Sequence, residues 1–358
     1  VVAQVASRTV LVTGVSRYLG GRFARALSAD PQTRVLGVDV IPPTHDLGAA
    51  VLIRADIRNP VIAKVIERES VDTVVHMNVI ATPTNAGGRA SMKEINVIGT
   101  MQLLAACHKS ATVRRLVVKS TAAVYGASPR DPGRFGEDDP PRVLPRSGWG
   151  KDSVEVEGYV RGFGRRRPDV GVVVLRFANV VGPGPQTQIT DYFRLPVAPT
   201  VLGFDPRLQL VHEDDLTAAM RVATLGSMTG TFNVAGDGVI TLMQALGITG
   251  RPPLPVPRGR LAAVSRALGR VFGADLGPDL MLLLTYGRAL DTTRMRADLG
   301  FEPRFSTREA FVDMVGARGL RPLVDPAAFD AVSSRIASLA GGLDAVVDAL
   351  GTQPAGLR

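Results

Sequence analysis

Two glycines and an acid near the start of the chain have the types and spacing to hold a dinucleotide. Gly14 and Gly20 bracket the turn VSRYL, and Asp39 stands nineteen residues past Gly20. Glycines at a strand-to-helix turn leave backbone N–H groups free, and the positive end of the helix dipole then faces a pyrophosphate. An acid at that distance accepts hydrogen bonds from a ribose 2′-OH and opposes the 2′-phosphate of NADP, so the spacing predicts NAD as cofactor. Leu19 belongs to the same loop. Arg17 departs from the pattern, because a glycine usually stands there and lets the backbone close on the phosphates. Its guanidinium can add to pyrophosphate binding or claim a 2′-phosphate in competition with Asp39, and a solvated arginine on a wider loop is the plain alternative.

These groups need particular elements to position them. Residues 9–12 are β-branched and aliphatic and predict a buried strand, with Phe23, Ala24 and Leu27 at helical spacing behind the turn. A second strand, 34–38, ends at Asp39. Further strands are predicted at 50–53, 72–76, 115–119 and 170–176, and helices at 61–69, 91–109 and 151–165. That alternation implies an α/β fold, a Rossmann-type doubly wound parallel sheet whose ligands collect at the carboxyl ends of its strands. Beyond Val181 the alternation decays, and Pro183, Pro185, Pro196, Pro199 and Pro206 mark loops around short elements. The expected organisation is a dinucleotide-binding domain over 1–180 to which 207–235 returns, a smaller C-terminal substrate lobe over 181–325, and a helical tail over 326–358.

At 358 residues and 45% hydrophobic content the chain can bury a large core. Its net charge of +9 suits anionic ligands, acidic membrane surfaces or nucleic acid. Aromatics at 5% are too few for a stacking platform on single strands, so nucleotide ligands are the economical reading and no nucleic-acid partner is expected. Cys107 is the single cysteine, which excludes an intramolecular disulfide and any multi-cysteine zinc site, and its apolar helix predicts a small core residue. His45 and His108 lack metal-ligand spacing, and no metal is expected. No apolar run is long enough to cross a bilayer and the first residues lack signal-peptide architecture, which predicts a cytoplasmic protein. The segment Arg258–Phe272 places Leu261, Val264, Leu268, Val271 and Phe272 along one helical face, with Arg260, Arg266 and Arg270 elsewhere. It reads either as a lobe helix with a solvated basic face or as a weak peripheral contact with an anionic membrane.

The ordered series LVTGVSRYLG, VDTVVHMNVIA, EINVIGTMQLLAAC, STAAVYG, LRFANVVGPG, VHEDDL, TFNVAG and DTTRMRADLGFEP resembles the extended short-chain dehydrogenase/reductases. The likeness is to the NAD-dependent epimerase/dehydratase family typified by UDP-glucose 4-epimerase, and it runs from about residue 8 to 305. The resemblance implies that Asp56 and Ile57 lie beside the adenine and that Asn96 contributes to cofactor binding. It also implies a homodimer and a nucleotide-sugar substrate, with Asn179, Arg207 and Arg288 where the family contacts the nucleotide diphosphate, although Arg207 is one residue out of register. His76 and His212 are expected to be structural, and Asp215 to cap or anchor the helix after it.

The family's chemistry uses a Tyr as acid/base, a Lys that lowers that Tyr's pKa, and a Ser or Thr that orients the substrate oxygen. Thr121, four residues before Tyr125, stands at the Ser/Thr position. The other two are missing. Matching the Gly-Lys pair and Glu157 in SGWGKDSVEVEGY puts Trp149 in place of Tyr and Ser153 in place of Lys; the register that uses Lys151 as the lysine puts Ser147 at the tyrosine. An indole N–H cannot lose its proton near neutral pH, and a serine supplies no positive charge. Tyr125 and Tyr159 are the phenolic substitutes, and both read as structural. Three functions follow: a nucleotide-sugar epimerase, dehydratase or related oxidoreductase with altered catalytic residues; a catalytically idle NAD-binding sensor or assembly partner; or a reductase on a lipid-like substrate at a membrane surface. Whether the chain is an enzyme stays open at this point.

The role given to Asp39 is directly testable. Calorimetry should show NAD binding more tightly than NADP, with Asp39→Ala narrowing the gap. Tighter NADP binding by the unmodified protein would transfer the preference to Arg17.

Overall fold

Strands buried on both faces suit a parallel sheet covered by helices. The computed structural model describes residues 8–77, 88–146, 148–274, 276–320 and 322. Ser147 and the tail over 326–358 lie outside the described residues. Six strands, β1 (Arg8–Thr13), β2 (Thr33–Asp39), β3 (Val51–Arg54), β4 (Thr73–His76), β5 (Arg115–Thr121) and β6 (Gly171–Phe177), join Gly230–Val234 in one sheet. Its order is Gly230–Val234, β6, β5, β4, β1, β2, β3, and all neighbours are parallel. The order reverses between β1 and β4, and the crevice above that point is where a doubly wound sheet takes its ligand.

Alternation along the strands divides the core in two. Val10 and Val12 face Phe23 and Leu27 of α1 (Tyr18–Ser28), whereas Leu11 faces the opposite layer. That second layer holds α2 (Val61–Arg68), α3 (Arg89–Lys93), α4 (Gly99–Lys109) and α5 (Gly148–Arg166). The single helix expected over 91–109 is instead α3 and α4 joined by a π-helical turn, Glu94–Ile98, that turns Asn96 and Val97 inward. α5 begins earlier than its periodicity implied, so Trp149 falls in its first turn. Cys107 is fully buried in α4, and burial pushes its thiol up to about 12.

A third apolar cluster gathers beyond the sheet. It draws on α6 (Gln188–Arg194), α8 (Leu242–Thr249), α9 (Arg258–Phe272) and α10 (Pro278–Tyr286). α7 (Glu213–Leu225) packs instead on α1, β5 and β6. Tyr192 and Phe193 meet edge to face at 5.1 Å, and Phe193 meets Phe311 at 4.7 Å. The apolar face read for α9 is shorter than the sequence implied. Leu261 and Ser265 are buried, but Val271 is 74% exposed and Phe272 also faces out. Among the described residues no helix is long and apolar enough to cross a membrane.

A buried charged network locks α5 to the sheet. Arg176 on β6 meets both carboxylate oxygens of Glu157, the shortest contact being 2.7 Å, and Ser120 Oγ donates to Glu157 Oε1 at 2.6 Å. Arg176 also donates to the Tyr125 hydroxyl at 2.8 Å, which donates in turn to Asn233 Oδ1 at 2.7 Å. Breaking a buried pair leaves the surviving charge uncompensated, at about 3–5 kcal/mol. Glu157→Leu should therefore lose stability of that order in urea, and adding Arg176→Met should recover most of it. A loss below about 1 kcal/mol in the single variant would show that the network does not carry α5.

Candidate functional site

The turn after β1 is shaped by what glycine permits. Gly14 has φ +79°, and a Cβ at Gly20 would lie 2.1 Å from the Gly14 carbonyl oxygen. α1 therefore starts directly over the end of β1. Arg17 precedes it in extended backbone with no side-chain cap, and the first turn of α1 carries no acid. That end keeps unpaired N–H donors and a positive dipole for an anion. The Ser16 N–H and hydroxyl both donate to Asp39 Oδ2, at 3.0 and 2.6 Å, and the Val40 N–H donates to Oδ1 at 2.8 Å. Asp39 is thus fixed beside the turn. His45, read from the sequence only as a non-ligand, closes the other flank with Nε2 3.0 Å from the Val15 carbonyl oxygen. These residues fit a dinucleotide: a tight turn that a side chain at position 20 would force apart, an open helix end, and a held carboxylate.

A cavity of about 590 Å³ runs from this turn along the carboxyl ends of the strands into the lobe. Arg17, Leu19 and Gly20 line it at one end, Thr121 and Trp149 in the middle, and Asn179 and Arg288 toward the lobe. Thr121 ends β5 with Oγ1 accepting the Ala123 N–H at 3.1 Å. Arg288 donates through Nε to the Gly126 carbonyl at 2.9 Å, and burial pulls its pKa down to about 10. Burial also lowers Arg17, with the Asp39 charge opposing that shift. Asp279 of α10, which sequence reasoning passed over, accepts the Gly150 N–H at 3.1 Å and fixes the start of α5 beneath Trp149.

Other sequence-picked residues lie elsewhere. Ser153 is buried outside the cavity, its Oγ donating to the Trp149 carbonyl at 2.8 Å. Lys151 is exposed, and Arg207 is exposed on a short strand away from the cavity lining. Asp56 is paired with Arg58, while Ile57 packs against Gly99; neither lines the cavity. Asn96 is fully buried and donates to Asp152 Oδ2 at 3.3 Å, tying the π turn to α5. Tyr125 is engaged in the Arg176 network and Tyr159 is exposed; neither lines the cavity. His212 caps α7, its Nδ1 accepting the Asp214 N–H at 3.1 Å. Asp215 anchors the loop at Arg304 and Phe305, accepting their N–H groups at 2.8 and 3.1 Å.

Lys119 is the residue the sequence reading missed. It follows Val117 and precedes Thr121 on one face of β5, while Ser120 points the other way to Glu157. Lys119 lines the cavity, and among the described residues no carboxylate pairs with it. Burial lowers its pKa to about 8. The available signal was a lone lysine inside the apolar run RLVVKST.

Behind β4, His76 is buried between Thr13 Oγ1 and Thr100 Oγ1, each 2.9 Å away. Thr100 donates to the Asn96 carbonyl at 2.5 Å and Thr13 accepts the Met77 N–H at 3.2 Å. That bonding assigns the proton to Nε2 and leaves Nδ1 as acceptor, a neutral ring. Burial, with Lys119 adding to it, lowers the His76 pKa to about 4.

Residues 10–235 match the NAD dependent epimerase/dehydratase family. The chain belongs to that family. It is 46% identical over 324 residues to an uncharacterized Mycobacterium tuberculosis (strain ATCC 25618 / H37Rv) protein, covering 89% of this chain and 86% of that one. Its fold resembles UDP-glucuronic acid 4-epimerase from Bacillus cereus, solved with UDP-glucuronic acid and NAD, at a TM-score of 0.65 and 18% identity over 87% of this chain and 99% of that one. The Thermotoga maritima UDP-glucose 4-epimerase, solved with UDP-glucose, gives 0.64 and 20% over 87% and 98%. Within this family fold, the cavity lies at the carboxyl ends of the sheet strands and opens into the lobe.

The neutral His76 sets an acid limit on the sheet beneath the site. Its folded pKa lies below the ordinary 6.5, so its contribution is present above about pH 6.5 and is lost as pH falls toward 4. The shift corresponds to about 3 kcal/mol at most. Thermal melts from pH 7.5 to 4.5 should show His76→Gln losing less stability on acidification than the unmodified protein. Parallel acid profiles would remove His76 from the account.

Proposed function

We propose that the chain binds NAD across the carboxyl edge of its sheet and acts on a nucleotide-linked sugar, with proton transfer handled differently from the family's Tyr/Lys pair. The observation that supports this most directly is the continuous cavity joining the glycine turn to Thr121, Trp149, Asn179 and Arg288. The turn and the N-terminus of α1 would hold the pyrophosphate, and Asp39 the ribose. Bound NAD supplies reversible hydride acceptance. Thr121 is placed to orient a substrate oxygen, and Asn179 and Arg288 to hold phosphate or sugar groups at the lobe end. The family relationship and the UDP-sugar and NAD bound in the Bacillus cereus neighbour support the same reading.

A second reading, an idle NAD-binding protein, draws on the first turns of α5. Ser153 is turned back on the Trp149 carbonyl and Lys151 faces solvent, so α5 presents no phenol and ammonium to the cavity. Removing a positioned acid/base lowers rate by about two to four orders of magnitude. The unmodified protein should bind NAD and turn over UDP-sugars slowly. Trp149→Tyr with Ser153→Lys should raise any such epimerisation, and either single change should do little, because the phenol needs the lysine's charge. NAD binding without turnover in all four proteins would favour the idle reading. Robust activity insensitive to both changes would show that neither position takes part.

A further inference from the structure

We propose that Lys119 is the acid/base of this cavity: an amine at the end of β5 that exchanges protons with a substrate hydroxyl beside Thr121. This rests on the reading of the site as an NAD-dependent sugar enzyme and names the group that would make it work. Strand alternation puts Lys119 and Thr121 on the same face, two residues apart, and both line the cavity together with Trp149. Hydroxyl deprotonation requires a base within hydrogen-bond reach of an oriented hydroxyl, and adjacent same-face positions bring the amine and the Thr121 hydroxyl to one part of the cavity.

Other groups in the cavity are less suited. The Trp149 indole cannot lose its proton near neutral pH, and Ser120 Oγ is committed to Glu157. His45 sits at the glycine turn, bonded to the Val15 carbonyl. Tyr18 shares its hydroxyl with Arg22 and Glu213 near the start of α1, and its pKa is raised by burial first and by Glu213 second. Asp279, the carboxylate in the lining, accepts the Gly150 N–H.

The charges around Lys119 can be followed element by element. Arg17 stands at the head of α1, Arg288 and Asp279 come from the lobe, and neutral His76 lies on β4. On the opposite face, Arg176 and Glu157 neutralise each other. Among the described residues no carboxylate pairs with the ammonium, and the neutral amine is accessible near physiological pH.

The step balances. The substrate's C–H bond breaks with its electron pair, which passes as hydride to the oxidised nicotinamide dinucleotide. The O–H bond breaks, its electron pair closes the carbonyl, and the proton forms a new bond to Nζ. The reverse delivers that proton back to oxygen as hydride returns to carbon.

The test separates this assignment from the reading beneath it. First, reductive methylation of the full chain across pH, read peptide by peptide by mass spectrometry, should show Lys119 titrating near pH 8 and protected by NAD, with exposed Lys64 and Lys151 labelled equally with and without NAD. Second, Lys119→Met removes a half-buried cation, so its melting temperature at pH 7 should equal or exceed that of the unmodified protein. NAD affinity should stay within about threefold while UDP-sugar turnover falls about a hundredfold or more. The rise of rate with pH through about 8 should vanish, and added primary amines should restore part of the activity of Lys119→Ala. Lack of NAD binding by the unmodified protein overturns the underlying reading and this proposal with it. NAD binding and turnover with an unchanged rate and pH profile in Lys119→Met overturn the proposal alone. NAD binding with no UDP-sugar turnover overturns the underlying reading and this proposal with it, and Lys119 reacting like Lys64 with or without NAD in an active protein ends the assignment alone.

Discussion

The close approach of α1 to the end of β1 is the constraint on which the rest of the site depends. Gly14 turns the chain with a positive φ, and the absence of a side chain at Gly20 lets the helix sit on the turn. Gly21 similarly leaves room for the His45 ring, which a Cβ there would overlap at 1.6 Å. With these approaches made, the first N–H groups of α1 point over the sheet edge, and Ser16 is carried to where it grips Asp39. A wider turn would separate the start of α1 from the Asp39 carboxylate. The distance between them is therefore set by backbone contact, and the ligand inherits it.

Charge is the second organising term. Arg17, Lys119 and Arg288 line one cavity with Asp279, and burial lowers the pKa of all three cations. Burying three cations beside the Asp279 carboxylate is costly in a low-dielectric cavity. The excess of positive charge favours anionic ligands there. The cations do not respond alike. An arginine remains protonated through any physiological pH even when displaced to about 10, whereas a lysine at about 8 changes charge within reach of it. Arg17 and Arg288 are fixed charges, and Lys119 is the one that can trade a proton.

The sheet was legible because its signals are local and periodic. β1, β4 and β6 declare themselves by β-branched runs, and the glycine turn and Asp39 follow at fixed distances. The sugar-enzyme kinship was legible from the order of short segments. What escaped was whatever depended on parity or on contacts between distant segments. Lys119 reads as the polar end of a strand until the register of β5 shows that it shares a face with Thr121. Asp279 reads as the acidic first turn of a lobe helix until the fold brings it to Gly150. Arg207 lay close to a motif in the chain, but on a two-residue strand its side chain is exposed. The π turn at Asn96 has no periodic signature, since one extra residue per turn leaves the flanking helical pattern intact.

Losing the Tyr/Lys pair changes what α5 has to do. In a site where that helix carries the titrating groups, its first turns must be set by the substrate as well as by the fold. Here they are held by protein alone: Asp279 takes the Gly150 N–H, Ser153 bonds back to Trp149, and Asn96 holds Asp152 from the π turn. The helix presents a rigid indole wall to the cavity and anchors itself to β6 through Glu157. Proton transfer, as assigned to Lys119, then belongs to the sheet, where β5 pairs with β4 up to Val118 and with β6 through Thr121. A side chain rooted there lines the cavity from beneath the sheet edge. On that assignment the labour divides: α5 contributes Trp149 to the cavity wall, and β5 contributes both Thr121 and Lys119.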